Sequence, residues 1–551
     1  MDRFRIALAQ LNPVMGDIAG NLKRARDARA LAPHADVILF SELFITGYPP
    51  EDLVLKPALQ ADARQAVEAL ARDTASGPAI LMGSPWIEEG RLYNAMVLLD
   101  EGKVVGRSLK HDLPNYGVFD EKRVFAAGPM PGPLNVRGVR IGVPICEDIW
   151  TQDVCECLSE TGAEILAVPN GSPFEAGKED VRLGLGSKRA GETGLPLIYL
   201  NQVGGQDELV FDGASFVLNA DRSLALALPP WREQVTVSEW TRGADGKWLC
   251  AMGERAPGES RQSAIYHALM LGLRDYVNKN RFPGLVLGLS GGIDSALSAA
   301  IAVDALGADR VRCVMLPSRY TSGESLADAD ECARRLGVPY ETIEIERAVK
   351  AIGETLAPVF AGREADTTEE NIQSRIRGLT LMAISNKFGP MLLTTGNKSE
   401  MSVGYATLYG DMCGGFNALK DVYKTEVFRL SRWRNQNTPV GSLGPDGAVI
   451  PEEIIKRPPT AELKANQTDQ DSLPPYDILD GILECLVERE MSFEDTVAKG
   501  FEPATVKRVE QLLYVSEYKR RQAPPGVKIT SRNFGRDRRY PITNAFRDAL
   551  S

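Results

Sequence analysis

At 551 residues, with 44% apolar and 25% charged side chains, the chain exceeds one ordinary domain; a prior of roughly 150 residues per domain suggests two to four units, and large α/β domains push that toward two. The formal charge of −11 gives no bulk attraction for nucleic acid, and no apolar run approaches the ~20 residues of a membrane helix. Met1-Asp2-Arg3-Phe4-Arg5 lacks the apolar core of a signal peptide, and eight scattered cysteines without a small-domain framework read as reduced thiols of a cytoplasmic protein.

The first half alternates short apolar strands with helical stretches. Strands are expected at Arg5–Gln10, Val37–Phe40, Ala79–Gly83, Ala95–Leu99, Lys103–Ser108, Arg140–Pro144, Ile165–Val168, Leu197–Asn201, Ser215–Leu218 and Leu224–Leu228. Asp100-Glu101-Gly102 between two alternating runs is a hairpin signal. Hairpins mixed with strand–helix units imply a layered α/β sandwich. Met252 to Gln262, rich in Gly, Glu, Ser and Arg, reads as a linker. Ser263 is expected to cap a helix carrying Ile265, Leu269, Leu273 and Tyr276 at helical spacing.

The buried-strand run Leu285-Val286-Leu287-Gly288-Leu289 follows, then a glycine turn and a helix from Ser295 to Val303. Strand Arg312–Leu316 and helix Ser325–Leu336 continue the βαβ pattern of a doubly wound parallel sheet. Asn435 to Ala448 and Pro458 to Pro475, polar and bearing Gly or Pro, read as loops, the first of them mobile. The chain therefore divides as 1–244, a linker 245–262, and 263–551.

Three histidines, His34, His111 and His267, lie outside any catalytic motif, so acid–base work falls to Glu, Lys and Asp. Cys146, Cys155 and Cys157 have no histidine or paired CxxC beside them, and a zinc site is not expected. The basic clusters Lys519-Arg520-Arg521 and Arg536 to Arg539 divide evenly between solvated surface and phosphate binding.

Gly288-Leu289-Ser290-Gly291-Gly292-Ile293-Asp294-Ser295 joins a strand to a helix. Its glycines let backbone approach a polyphosphate, and the helix start presents amides and a positive dipole end. Ser290 and Ser295 add hydroxyls, and Asp294 suits a Mg²⁺ bridging phosphate oxygens. No Gly-Lys-Ser/Thr follows, so this is not a Walker A loop. The string resembles the pyrophosphate loop of the ATP pyrophosphatases, which adenylylate a substrate. With Glu370-Asn371-Ile372-Gln373-Ser374-Arg375, Thr394-Thr395-Gly396-Asn397-Lys398-Ser399-Glu400, Gly410-Asp411 and Lys420-Asp421-Val422-Tyr423-Lys424 downstream, the region from Ser263 onward resembles the bacterial ammonia-ligating NAD synthetases. The resemblance implies that Gly288 to Ser295 and Thr395 contact ATP and that Asp294 and Glu400 hold Mg²⁺. It further implies that Asn371, Glu400, Asp411 and Lys519 meet deamido-NAD⁺ and that Lys424 meets the triphosphate.

Cys146 ends a strand in Val143-Pro144-Ile145-Cys146-Glu147-Asp148-Ile149-Trp150. A free cysteine is more often a small buried apolar residue than a nucleophile. Glu42 directly after an apolar strand, and Lys110 at the end of a hairpin strand, change those odds. In this order the three resemble the Glu–Lys–Cys triad of the nitrilase superfamily, in particular the glutaminase domain of glutamine-dependent NAD synthetases, over residues 1–244. By that resemblance Glu121 orients Lys110 or Glu42, while Tyr116, Ser172 and Lys178 contact glutamine. The implied fold is a nitrilase-like α-β-β-α sandwich followed by the doubly wound domain. The implied reaction is ATP-dependent amidation of deamido-NAD⁺ with glutamine nitrogen in a symmetric homo-oligomer, a dimer through the synthetase domains or an octamer. The alternatives are another ATP-pyrophosphatase amidotransferase, aminating a nucleotide base or aspartate, and a non-catalytic nucleotide-binding scaffold.

Overall fold

The computed structural model describes residues 2–464, 467–471, 473–546 and 548. It separates into two compact units, Met1–Glu259 and Ser260–Ser551.

In the first unit, seven strands form one sheet in the order Trp248–Cys250, Gln234–Arg242, Arg3–Gln10, Val37–Leu39, Ala79–Glu88, Arg91–Asp100, Lys103–Leu109. Six more form a second sheet in the order Leu224–Ala227, Phe216–Leu218, Leu197–Asn201, Ile165–Asn170, Val139–Gly142, Leu134–Val136. Period-two patterning decides the layering. Ile6 and Leu8 join Val37, Leu39, Ile141, Ile165 and Ile198 in a core contributed by both sheets. Their neighbours Ala7 and Ala9 face the other way, onto Ala25 and Ala28 of helix Ile18–Leu31 and Val67 and Leu70 of helix Pro57–Asp73. On the second sheet, Leu166, Val168, Leu197 and Tyr199 pack outward on Val154, Leu158 and Ala190 of two further helices. The result is the expected helix–sheet–sheet–helix sandwich. The hairpin at Asp100 is present: Asp100 pairs with Lys103 across Glu101 and Gly102, both at positive φ.

Trp248–Cys250 pairs with Gln234–Arg242, so a strand lies inside the segment read as linker. Trp248 and Cys250 reach the inter-sheet core, and three residues are too short a run to show a period. The following helix, Arg261–Lys279, is capped by Ser260, whose hydroxyl accepts from Ser263 N at 3.2 Å. The cap is therefore one turn earlier than Ser263. Both serines carry the right side chain, and extended φ/ψ at Ser260 decides between them.

In the second unit, five parallel strands run in the order Tyr340–Thr342, Val311–Met315, Leu285–Gly288, Met391–Thr394, Phe416–Asn417. Leu285–Gly288 is central, and the chain moves away from it in both directions. That makes its carboxyl end the switch point where open α/β sheets take ligands. Helix Ile293–Leu306, buried along nearly its whole length, follows it directly. A separate helical cluster gathers Leu479, Ile482 and Leu483 of Tyr476–Leu483 with Val506, Val509 and Leu513 of Pro503–Val515.

The segment 435–448, expected to be mobile, is stapled down. Arg434, fully buried, donates from Nε and Nη2 to Asp304 at 2.6 and 3.0 Å. Its remaining donors reach Pro445 O and Gly447 O at 2.7 and 3.0 Å. Asp304 also accepts from Tyr266 OH and Ser442 Oγ at 2.5 and 2.8 Å, and Val440 N donates to His267 Nε2 at 3.0 Å. Polar composition hid this because the staple is a charge pair 130 residues apart in sequence. Of the expected loop 458–475, positions 465, 466 and 472 lie outside the described residues; a short 3-10 turn, Asp469–Asp471, forms within the rest.

Removing one partner of a buried pair strands the other. Arg434→Met is expected to cost about 3–5 kcal/mol and to speed amide exchange across 435–448. Denaturant unfolding with hydrogen-exchange mass spectrometry reads both; an unchanged midpoint and protected loop amides would refute the staple.

Candidate active sites

In the first unit, the strand ends bring Glu42, Lys110, Glu121 and Cys146 together. Glu42 and Lys110 are fully buried. Lys110 Nζ donates to Glu42 Oε1 at 2.7 Å and to both Glu121 oxygens at 2.9 Å. Glu42 also accepts from Asn94 Nδ2 at 2.7 Å and, on Oε2, from Gly171 N at 2.9 Å. Glu121 accepts in addition from Tyr48 OH at 2.8 Å. Every hydrogen-bond partner of either carboxylate is a donor; burial raises the Glu121 carboxyl above its ordinary range against the pull of Lys110. Burial alone would strip Lys110 of its proton, but Glu121 and Glu42 outweigh it and hold the ammonium well above its usual range. Gly171 has a steric reason to be glycine: a Cβ there would sit 2.4 Å from the Tyr48 ring.

Cys146 opens a short 3-10 turn and sits at φ 49°, a left-handed conformation costly to a residue with a Cβ. Asp148 holds that turn in place. Its Oδ1 accepts from His111 N at 3.0 Å and Asp112 N at 2.7 Å, while Oδ2 accepts from Ile145 N at 2.8 Å. One carboxylate thereby ties the backbone after Lys110 to the backbone before Cys146. Burial pushes Asp148 up to about 7 against the pull of those amides. Burial likewise pushes the Cys146 thiol well above its ordinary range; Glu42 adds to the rise, and Lys110 opposes it.

Around this centre, Tyr116 OH donates to both Glu147 oxygens at 2.9 and 3.0 Å. Burial holds Glu147 above the ordinary carboxylate range. Phe119 lies edge-on to Tyr116, with Lys178 Nζ 6.0 Å from its ring centre. Ser172 is buried and held from three sides. Its N donates to Asn201 Oδ1 at 2.9 Å, its hydroxyl receives Arg182 Nε at 3.1 Å, and Arg182 Nη2 reaches its carbonyl at 2.8 Å. Arg182 is in turn fixed to both Asp212 oxygens at 2.7 Å. Asn94, Asp148, Glu147 and Arg182 were not singled out from the sequence. Glu147 and Asp148 flank Cys146 in its own string, the one signal available; Asn94 and Arg182 carry none.

In the second unit, a cavity of about 300 Å³ opens at the strand carboxyl ends, lined by Gly288 to Ser295, Thr395, Glu400, Asp411 and Lys424. The phosphate loop is tied to itself. Ser295 Oγ accepts from Ser290 N at 3.2 Å and donates to Gly292 O at 2.9 Å, and Ser290 Oγ accepts from Gly292 N at 3.3 Å. Gly291, at φ 81°, would drive a Cβ to 2.4 Å from Ser325 O, so only glycine closes this turn. Asp294 accepts from Asn397 Nδ2 at 2.9 Å and from Lys424 Nζ, which also reaches Glu400 at 3.2 Å. Asn397 caps helix Lys398–Val403, accepting from Glu400 N at 3.0 Å; it too was not singled out. Burial, with Asp294 nearby, pushes Glu400 up to about 8 against the pull of Lys424. Asp294 and Glu400 are the carboxylates placed to hold a divalent cation, a position in which Lys424 now pairs with both; among the described residues no group of three or more His, Cys, Asp or Glu could hold one.

Asn371 and Lys519 do not line the cavity. Asn371 Oδ1 accepts from Thr407 Oγ1 at 2.9 Å, and Thr407 N donates to Asp411 at 2.7 Å. Lys519 Nζ donates to Gly404 O and Ala406 O at 2.7 Å. Both brace the segment that delivers Asp411, a carboxyl pushed up by burial to about 6.

Comparison with known proteins agrees with this partition. The carbon-nitrogen hydrolase family model matches residues 5–248, and the NAD synthase family model matches residues 265–523. A glutamine-dependent NAD(+) synthetase of Rhodobacter capsulatus is 55% identical over 99% of this chain and 99% of its own. That of Acinetobacter baylyi is 46% identical, again over 99% of each. A solved glutamine-dependent NAD+ synthetase from Acinetobacter baumannii, in complex with ADP, is 44% identical with a TM-score of 0.79 over 100% of both chains.

A thiol raised by burial stays protonated in the resting protein. Alkylation of Cys146 by iodoacetamide, followed by peptide mass spectrometry, is expected to keep accelerating with pH through about 9, the ordinary thiol value. A rate that levels off below pH 8 would show a pre-formed thiolate and refute this electrostatic reading.

Proposed function

We infer the chemistry of the two centres from one premise: the chain belongs to the glutamine-dependent NAD(+) synthetase family. It converts deamido-NAD⁺ to NAD⁺ with glutamine as the nitrogen donor, as a carbon–nitrogen ligase. The residue roles that follow are our reading of the geometry. The observation that carries it is the Lys110 ammonium shared between Glu42 and Glu121, with the strained Cys146 turn tied to the same strand end.

Glu42 Oε1 already takes two donors and Oε2 only one, so Oε2 keeps a lone pair for the thiol proton. Cys146 Sγ attacks the glutamine side-chain carbonyl as its proton passes to Glu42. Lys110 stabilises the oxyanion. Collapse breaks the C–N bond, and Glu42 returns the proton to the leaving nitrogen, releasing ammonia and a thioester. Water, deprotonated by Glu42, then releases glutamate and restores the thiol. Tyr116, Ser172 and Lys178 contact glutamine, and Glu147 offers an anion to its α-ammonium.

In the second unit, the nicotinate carboxylate of deamido-NAD⁺ attacks the α-phosphorus of ATP and expels diphosphate. Ammonia then attacks the resulting acyl adenylate, loses a proton and displaces AMP. The loop Gly288 to Ser295 with Thr395 receives ATP, a placement supported by the ADP complex of the Acinetobacter baumannii relative. Asp294 and Glu400 are the two carboxylates that would hold a Mg²⁺ accompanying the nucleotide. Such an ion would neutralise charge on the departing diphosphate. Lys424, held above its usual range by Asp294 and Glu400 against burial, remains cationic for the triphosphate. Asp411, with Asn371 and Lys519 behind it, faces deamido-NAD⁺. We propose a homo-oligomer assembled through the second units, located in the cytoplasm. No helix among the described residues is long and apolar enough to cross a membrane, and the eight cysteines are free thiols.

Cys146→Ala is expected to lower glutamine-driven NAD⁺ formation by at least about 10³-fold while leaving ammonium-driven formation within about threefold. Asp294→Asn is expected to lower both by about 10²-fold. Steady-state assays with each nitrogen source decide. Loss of both activities in folded Cys146→Ala, or normal ATP turnover in Asp294→Asn, overturns the division of labour.

A further inference from the structure

Arg377 lines the cavity of the second unit and is in neither the phosphate loop nor the set of residues read from the sequence. It lies on helix Thr367–Phe388, between Ser374 and Leu381 on the face that borders the cavity. The helix is set tightly there. A Cβ on Gly378 would come within 2.7 Å of Gly410 O, and Leu381 Cδ1 lies 3.4 Å from the Cβ position of Gly288. Arg377 therefore stands one helical turn, about 6 Å, along the axis from the residue that touches the start of the phosphate loop.

Its Nε donates to Leu316 O at 2.9 Å, at the carboxyl end of the strand beside the central one. A guanidinium has five N–H donors. Four remain, and among the described residues they meet no acceptor and no ion-pair partner. Glu462 and Asp411 act on the side chain through space, and Glu462 Oε1 accepts from Ser325 Oγ at 2.9 Å. Two buried arginines of this unit show the contrast. Arg434 has Asp304 and two carbonyls, and Arg520 has Glu517 with Ser402 O.

The charge of the cavity sharpens the contrast. Asp294, Glu400, Asp411, Glu462 and Asp469 all contribute to its wall. Lys424 is spent on Asp294 and Glu400, and Arg457 pairs with Asp328 and Glu324. Arg377 is thus the cation of the wall left unneutralised among the described residues. Arg377 is part-buried at the cavity wall, and a bound ligand would bring the anion it lacks. The planar fork matches two oxygens of one phosphoryl group.

We propose that Arg377 is a phosphate-contacting residue of the second centre, anchored by Nε to Leu316 O and presenting its Nη edge to a phosphoryl group of a bound nucleotide. The chemistry is shared by the triphosphate of ATP and the diphosphate of the dinucleotide. The proposal rests on reading this cavity as the nucleotide site.

The test uses the full-length protein and titration calorimetry with two probes, α,β-methylene-ATP and deamido-NAD⁺. In Arg377→Ala the affinity for one probe is expected to fall about 10–100-fold, the range of a hydrogen bond to a charged group, with the other within about threefold. Loss for the ATP analogue assigns the triphosphate, and loss for deamido-NAD⁺ assigns the diphosphate. Guanidinium chloride, but not NaCl at equal ionic strength, is expected to restore part of the lost affinity, and Arg377→Lys to restore little. Unchanged affinity for both probes overturns the proposal. So does an equal loss for both with a lowered unfolding midpoint and no rescue by guanidinium, which would mean that Arg377 only braces Leu316. Failure of the unsubstituted protein to bind either probe sinks the reading of the cavity itself and this inference with it.

Discussion

A buried ammonium shared by two carboxylates is the constraint on which both centres depend. In the first unit it is Lys110 between Glu42 and Glu121; in the second it is Lys424 between Asp294 and Glu400. Burial opposes the charge on each lysine, and its two carboxylates outweigh that opposition. Each trio consequently fixes the relative positions of three strand or helix ends that are distant in sequence. The sheets deliver those ends, and the charges hold them in register.

The two trios differ in what they leave open. Around Lys110 the donors are nearly exhausted, so the first centre is preorganised and retains little beyond the acceptor position on Glu42 that a proton requires. Around Lys424 further carboxylates, Asp411, Glu462 and Asp469, line the same cavity, and burial pushes Glu400 up to about 8. A hydrolytic site acting on a neutral amide and a ligase site acting on polyanions call for this contrast.

Much of the architecture was legible because period-two alternation and strand–glycine–helix junctions are local. The phosphate loop could be read from eight consecutive residues, and the hairpin at Asp100 from three. Cys146, Glu42 and Lys110 were legible only through their order along the chain. The groups that make the thiol usable were not. Asn94 contacts Glu42 across 52 residues and Asp148 contacts His111 across 37, and each looks like an ordinary polar residue in its own neighbourhood. The same limit explains segment 435–448, whose polar composition says nothing about Arg434 reaching Asp304. It explains Arg377 too, two residues beyond the Glu370–Arg375 string, which stands out only through its place on the cavity wall. The cap at Ser260 rather than Ser263 is a smaller case: two serines one turn apart are equivalent until backbone torsion separates them.

The three amides gathered by Asp148 have a wider meaning for the first unit. They join the end of one sheet to the turn that closes a strand of the other, through a single buried side-chain carboxylate that gathers three main-chain amides. Cys146 and Lys110 are thereby referred to one anchor, and a residue inserted or deleted between Ile145 and Asp148 would break this set of three contacts.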